Sequence, residues 1–168
     1  SRKGIKIITH ERPDVDALGS VAGMGWVLNS IRAPFSVCVE SWLSFSTELR
    51  PPVSASVASE VDVQLMLDVS DPKRAFGYDQ GLETLVIDHH AVEDVPFINL
   101  IDPSCCATSA LLSELFFDHL DSKSSVCFLA GLLADTGVLS YSNVDERALK
   151  DAIRLVQAGA NWNAAYVE

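Results

Sequence analysis

Two apolar runs in this chain stop abruptly at residues that bind cations. Leu85-Val86-Ile87 leads into Asp88-His89-His90, and Gly4-Ile5-Lys6-Ile7-Ile8-Thr9 ends at His10. Short runs rich in β-branched residues read as strands buried on both faces, as in parallel sheets. Ligand-type residues at the carboxyl ends of such strands converge on one crevice. Of the four histidines, only His119 lies away from these strand ends, and it reads as a surface residue.

The rest of the chain supplies a frame for that crevice. A helix is predicted from Ala17 to about Ile31, because Leu18, Val21, Met24, Val27, Leu28 and Ile31 fall on one stripe. Asp16 is its expected N-cap, and Ala33-Pro34 ends it. Further strands are predicted at 35–39, 63–68, 85–88 and 97–101. Residues 41–60 carry little signal beyond the Pro51-Pro52 break and a short helix expected near Ser54–Ser59. After Asp102-Pro103 the pattern turns helical: Ala107 to about Leu120, Ser125 to about Ala134, and Asp145 to about Gln157 with Gly159 closing the last. The alternation predicts an α/β fold, a mostly parallel five-stranded sheet with helices on both faces.

Composition narrows the function. A chain of 168 residues, 48% of them apolar, can bury one substantial core. No apolar run approaches the roughly 20 residues a membrane span needs, and the first 30 residues lack a signal-peptide pattern. Cys38, Cys105, Cys106 and Cys127 have no disulfide-framework or CxxC spacing, which fits a reduced, cytoplasmic protein. A net charge of −11 argues against tracking along nucleic acid, so no binding to long duplexes is expected. An anionic substrate would then need positive charge concentrated locally, most simply by metal ions.

Asp14, Asp16, Asp68 and Asp135 join His10 and His89 as candidate ligands. Each has an ordinary reading alone: Asp16 as an N-cap, Asp68 as a strand-end turn residue, His89-His90 as a satisfied pair, Asp135-Thr136-Gly137 as a helix-ending turn. Together they would bring six carboxylates and imidazoles into one crevice with no compensating arginine cluster. Such a set cannot stay ionised without cations. Mixed nitrogen and oxygen donors suit Mn²⁺, with Mg²⁺, Co²⁺, Zn²⁺ and Fe²⁺ as rivals. In the spacing His-x₃-Asp-x-Asp, Asp14 and Asp16 point the same way from an extended loop and can serve two neighbouring ions. The helix that follows adds N–H groups facing an anion. Two ions about 3.5–4 Å apart are a recurrent solution to phosphoester hydrolysis.

Four motifs carry this pattern in order: His10-Glu11-Arg12-Pro13-Asp14-Val15-Asp16-Ala17-Leu18-Gly19-Ser20, Asp68, Asp88-His89-His90 and Asp135-Thr136-Gly137. In type and order they resemble the DHH phosphoesterase superfamily, which includes RecJ-type exonucleases, nanoRNase/pAp phosphatases, cyclic dinucleotide phosphodiesterases and family II pyrophosphatases. The helix start Ala107-Thr108-Ser109-Ala110 and the Gly159 region look like the nanoRNase branch. The resemblance implies that His10, Asp14 and Asp68 hold one ion. It implies that Asp16, Asp68, His89 and Asp135 hold the other, with Asp68 bridging. His90 would contact the phosphate or assist the leaving group, and Asp88 would orient an imidazole. Arg74 and Ser109 are expected phosphate contacts, and Arg12 a solvated loop arginine. The reaction expected is in-line attack on phosphorus by a hydroxide bridging both ions, on a small phosphorylated substrate: a small nucleotide or a short oligonucleotide. Inorganic pyrophosphate or polyphosphate hydrolysis is an alternative, as is a nucleotide-binding regulatory module without turnover. Relatives of this kind carry a second, smaller domain with glycine-rich and basic residues. No such motif follows here, so residues 1–168 are expected to form a single catalytic domain lacking that substrate-binding domain. Nothing in the sequence fixes an oligomeric state.

Overall fold

The strands β1 (Gly4–Ile8), β2 (Phe35–Cys38), β3 (Val61–Leu67), β4 (Glu83–Asp88) and β5 (Ile98–Ile101) form one sheet in the order β2-β1-β3-β4-β5, and every pairing is parallel. These positions come from a computed structural model that describes residues 4–42, 45–52 and 61–165. The expected short helix near Ser54–Ser59 lies outside the described residues. The chain leaves β1 in one direction to β2 and returns on the other side to β3. The strand order therefore reverses beside β1, and the carboxyl ends of β1 and β3 flank a crevice suited to a ligand. His10 and Asp68 follow those two ends.

Helices α1 (Val15–Ser30), α2 (Thr108–Leu115), α3 (Ser122–Asp135), α4 (Glu146–Gln157) and α5 (Trp162–Ala165) share one core with Ile7, Leu65, Leu67 and Ile87 of the sheet. On the opposite face Ile8, Met66 and Val86 pack against Val69, Ala75, Tyr78 and Phe97. Among the described residues the cover on that face comes from loop residues. Gln64, fully buried on that side, explains part of the covering: its amide donates to Asp79 O (2.7 Å) and Thr84 Oγ1 (2.9 Å) and accepts from Asp79 N–H (3.1 Å). A buried amide satisfied on both ends pins the β3–β4 connection to the sheet.

Three helix boundaries differ from expectation for identifiable reasons. The N-cap of α1 is Asp14, whose Oδ1 accepts from Ala17 N–H (2.9 Å), and Asp16 lies inside the first turn. The predicted helix from Ala107 to Leu120 stops at Leu115, followed by a single 3₁₀ turn at Phe117–His119. It must stop there because Asp121 is extended, as a capping residue has to be. Asp121 and Ser124 exchange side-chain-to-backbone hydrogen bonds, so α3 begins at Ser122 rather than Ser125. No described helix is long and apolar enough to cross a membrane.

The contact of α1 with α3 sets the depth of the crevice. A Cβ at Gly19 would lie 2.6 Å from Cys127 O and 3.1 Å from Gly131 N. Only glycine permits this approach, which brings Asp135 at the end of α3 toward the start of α1. Arg147 of α4 then closes the far side. Its guanidinium donates to both oxygens of Glu114 (2.7 Å each) and to Asp102 Oδ2 (2.8 Å). A planar fork suits such bidentate pairing.

Asp151 of α4 is buried (1% exposed), accepts from Arg154 Nη1 (2.8 Å), and leaves its Oδ2 without a hydrogen bond. Burial first, and then the neighbouring Glu114 carboxylate, push its carboxyl up to about 7, against the pull of Arg154 and Arg147. An unfolded aspartate titrates near ~3.9. Between these values the folded chain holds the proton that the unfolded chain releases, so Asp151 makes stability fall as pH rises from about 4 to about 7. Asp151→Asn should remove that contribution. Relative to wild type, its melting temperature should improve steadily across the window. A difference that stays constant with pH would contradict the assignment.

Candidate metal centre

The sheet and α1 deliver their candidate ligands to one place because each follows a strand end or opens a helix. His10 Nε2 lies 3.6 Å from Asp68 Oδ2 and 4.0 Å from Asp14 Oδ1. His89 Nε2 lies 3.3 Å from Asp135 Oδ2, 3.7 Å from Asp68 Oδ1 and 4.0 Å from Asp16 Oδ2. Asp68 therefore faces His10 with one oxygen and His89 with the other. Its backbone leaves the ladder in the left-handed region (φ +59°) immediately after donating to Ile87 O (3.0 Å). Such a conformation, uncommon outside glycine but more accessible to aspartate, recurs at functional sites.

Asp16 is almost fully buried, and its support comes from another helix. The N-terminal residue flanking α2 is Ala107, which has no side chain to cap with. The first free N–H groups of that helix need an acceptor from elsewhere. Asp16 provides it: Thr108 N–H donates to Oδ2 (2.8 Å) and Ser109 N–H to Oδ1 (3.0 Å). The positive end of α2 thus offsets part of the cost of burying this carboxylate. Gly131 of α3 makes room on the other side, since a Cβ there would lie 2.5 Å from both Asp16 Oδ1 and Ser109 Oγ.

The two candidate ligand imidazoles are oriented alike. His10 Nδ1 bonds Glu11 O (2.8 Å) and His89 Nδ1 bonds Cys105 O (3.3 Å). A carbonyl can only accept, so Nδ1 carries the proton and Nε2 is left to face the carboxylates. His89 Nε2 is buried without a hydrogen-bond partner. His90 differs: its Nδ1 meets Asp88 Oδ1 at 2.7 Å, its N–H donates to the same oxygen (3.0 Å), and its side chain is 57% exposed. Asp88 thus orients His90.

The donor set fits divalent cations. The ligand atoms of His10, Asp14 and Asp68, and those of Asp16, His89 and Asp135, each lie within 4.8 Å of one another. At metal–ligand distances of about 2.0–2.2 Å, two ligands of one ion lie up to about 4 Å apart, which matches the 3.3–4.0 Å separations on the His89 side and around His10. Without cations the charges conflict. Burial and the charges of Asp68 and Asp135 raise the Asp16 carboxyl well above its ordinary range, and burial likewise raises Asp68. The Asp68 carboxylate 3.6 Å away lifts His10 to about 9. Burial lowers His89, but the facing carboxylates of Asp135, Asp16 and Asp68 outweigh it and lift it to about 9. Protons on the imidazoles stand in for cations, and a cation must displace them. Mn²⁺ affinity should therefore rise with pH up to about 9, with proton release on binding. Calorimetry in buffers of different ionisation enthalpy would detect both, and affinity flat with pH would contradict this.

The two residues expected to contact phosphate differ in position. Ser109 is fully buried, so its side chain has no surface to offer a phosphate; it supports Asp16 through its N–H. Arg74 is exposed on the β3–β4 connection, and its carbonyl accepts from Glu11 N–H (2.8 Å), which places its backbone beside the His10 loop. Thr108, seen in sequence only as part of a helix start, and Gly131 are supporting residues to which the motifs assign no role. The signal for Thr108 was a helix start with no capping residue before it. Gly131→Ala should lower stability by about 1–3 kcal/mol through overpacking and weaken Mn²⁺ binding. Gly23→Ala, which crowds the Phe128 ring instead (2.4 Å), should lower the melting temperature with metal affinity kept. Equal metal affinity in both variants would refute a role for Gly131 beneath Asp16.

Comparison with known proteins follows the same outline. A family model described as the DHH family, N-terminal domain, matches residues 4–149. A bifunctional oligoribonuclease and PAP phosphatase NrnA of Bacillus subtilis is 29% identical over 162 residues, covering 88% of this chain and 51% of the relative. The protein of that name from Thermus thermophilus is also 29% identical, over 92% of this chain and 50% of its own length. The chain thus spans about half the length of these relatives. Among solved structures, an exopolyphosphatase-related protein from Bacteroides fragilis superposes with a TM-score of 0.79 at 23% identity, over 98% of this chain and 55% of that one. A putative family II inorganic pyrophosphatase from Methanococcus jannaschii gives 0.66 at 15% identity, over 92% and 56%. Both show a shared fold.

Proposed function

The chain belongs to the DHH family, and from that premise we propose that it hydrolyses phosphoesters of small nucleotides or short oligonucleotides with two divalent cations. The observation that carries this is Asp68, whose two oxygens face two separate His–Asp groups. His10, Asp14 and Asp68 would hold one cation; Asp16, Asp68, His89 and Asp135 the other. When bound, the cations would supply Lewis acidity, making a water nucleophilic near neutral pH and offsetting phosphate charge. Mn²⁺ is the first candidate because the donors mix imidazole and carboxylate. The substrate class follows the names of the NrnA relatives, an oligoribonuclease and PAP phosphatase, and the acidic chain favours a small ligand.

The remaining steps fall to side chains. Asp88 holds His90 through Nδ1 and raises its proton affinity. An imidazolium so held presents Nε2 to solvent, where it can donate to a phosphate oxygen or to the departing oxygen. Arg74, next to the His10 loop, is the side chain we assign to a terminal phosphate. Asp16 stays in place during turnover because α2 grips both its oxygens.

A panel of PAP, a ribodinucleotide and pyrophosphate, each with Mn²⁺, tests this reading. Phosphate release from PAP or dinucleotide cleavage should exceed pyrophosphate hydrolysis; the reverse order overturns it. Asp135→Ala and His89→Ala should lose metal and at least about 10²-fold in rate, beyond the usual loss for a supporting residue. His90→Ala should keep both metals and lose about 10²–10⁴-fold.

A further inference from the structure

Thr108 is the first residue of α2, is fully buried, and touches three candidate ligands that come from three different elements. Its backbone N–H donates to Asp16 Oδ2 (2.8 Å). Its hydroxyl contacts Asp68 Oδ1 at 2.8 Å and the backbone N–H of His89 at 3.2 Å. The direction of both hydroxyl contacts is forced. The His89 N–H can only donate, so Thr108 Oγ1 accepts there. The single hydroxyl proton is then left for Asp68 Oδ1, which accepts it.

We propose that Thr108 is a positioning residue that fixes the bridging carboxylate and the His89 segment in one register and so sets the affinity of the cation site on the His89 side. This rests on the two-cation reading above. The hydroxyl binds only the Asp68 oxygen that faces His89 (3.7 Å), while the oxygen facing His10 (3.6 Å) has no such partner. Thr108 thereby makes the two halves of Asp68 unequal. It leaves Oδ1 one fewer free lone pair than Oδ2, yet holds Oδ1 still. Both consequences act on the half of the site built from Asp16, His89 and Asp135.

Removing the hydroxyl while keeping the shape separates this role from packing. In Thr108→Val the buried His89 N–H loses its acceptor and Asp68 Oδ1 its donor, while volume is nearly unchanged. Mn²⁺ titration of the whole chain, followed by calorimetry and by the electron paramagnetic resonance of free Mn²⁺, should show two classes of site in wild type. In Thr108→Val one class should weaken by about 10–100-fold, the range for a residue supporting a metal ligand, and the other should change by less than about threefold. Thr108→Ser, which restores the hydroxyl, should return both classes to wild-type affinity; if the valine variant does not fold, Thr108→Ala against Thr108→Ser carries the same comparison. Two wild-type classes in a folded variant lacking the hydroxyl would overturn the inference alone. Equal weakening of both classes would also overturn it. No Mn²⁺ uptake by wild type would overturn the two-cation reading, and this inference with it.

Discussion

The burial of the Asp16 carboxylate is the constraint on which the other features depend. A carboxylate with 1% exposure is costly unless it is paired and hydrogen-bonded. Here its nearest charged neighbours include two more carboxylates, Asp68 and Asp135, both of which oppose its ionisation. The chain answers with the N-terminus of α2, whose first two N–H groups both end on Asp16. That answer places three demands elsewhere. Helix α2 must begin without its own cap, α3 must carry a glycine where it passes beneath the carboxylate, and the loop before α2 must be held in place. Ala107, Gly131 and the Arg147 fork to Asp102 and Glu114 meet these demands in turn.

The remaining conflict is electrostatic and is not resolved by hydrogen bonds. Imidazoles with proton affinities raised to about 9 and carboxyls raised above their ordinary range describe a cluster that attracts positive charge. Fixed cations from the protein would satisfy it permanently. Among the described residues only imidazoles pair with these carboxylates, so the positive charge they call for is exchangeable. That distinguishes a site for bound ions from a structural ion-pair network such as Arg147 with Glu114 and Asp102, where the cation is a side chain.

The fold and the ligand cluster were legible to different depths. The strands were readable because β1, β3 and β4 are apolar runs bounded by polar residues, and the candidate ligands because they end those runs. The sheet's parallel pairing followed from the alternation of strands with helices. The caps were not readable: Asp14 and Asp16 are both plausible before Ala17, and only the fold shows that Asp16 is committed to Thr108 of α2, 92 residues later. The boundary at Leu115 was hidden because Phe116, Phe117 and Leu120 continue an apolar pattern, while the capping pair Asp121 and Ser124 that ends it lacks the usual Glu or Gln. The loop cover that the described residues give the second face was hidden for a related reason. Alternation predicts covering layers but not whether a helix or a loop supplies them, and the Gln64 amide that anchors the loop reads in sequence as an ordinary strand residue.

His89 and His90 show how adjacent identical residues acquire different chemistry. The strand ends at Asp88, just before both rings, and in the turn that follows one side chain points inward and the other toward solvent. Their Nδ1 partners complete the difference. His89, like His10, bonds a backbone carbonyl, a neutral acceptor that fixes the tautomer and leaves Nε2 free to release its proton to solvent and offer its lone pair to a cation. His90 bonds the Asp88 carboxylate, which strengthens its hold on a proton. A metal ligand must be unprotonated at the atom it offers, whereas a group that donates to a phosphate must be protonated there. The choice of carbonyl or carboxylate behind each ring therefore matches the role its exposure suggests. In a site assembled from so few residue types, the partner on the far side of the imidazole carries the information that the sequence motif does not.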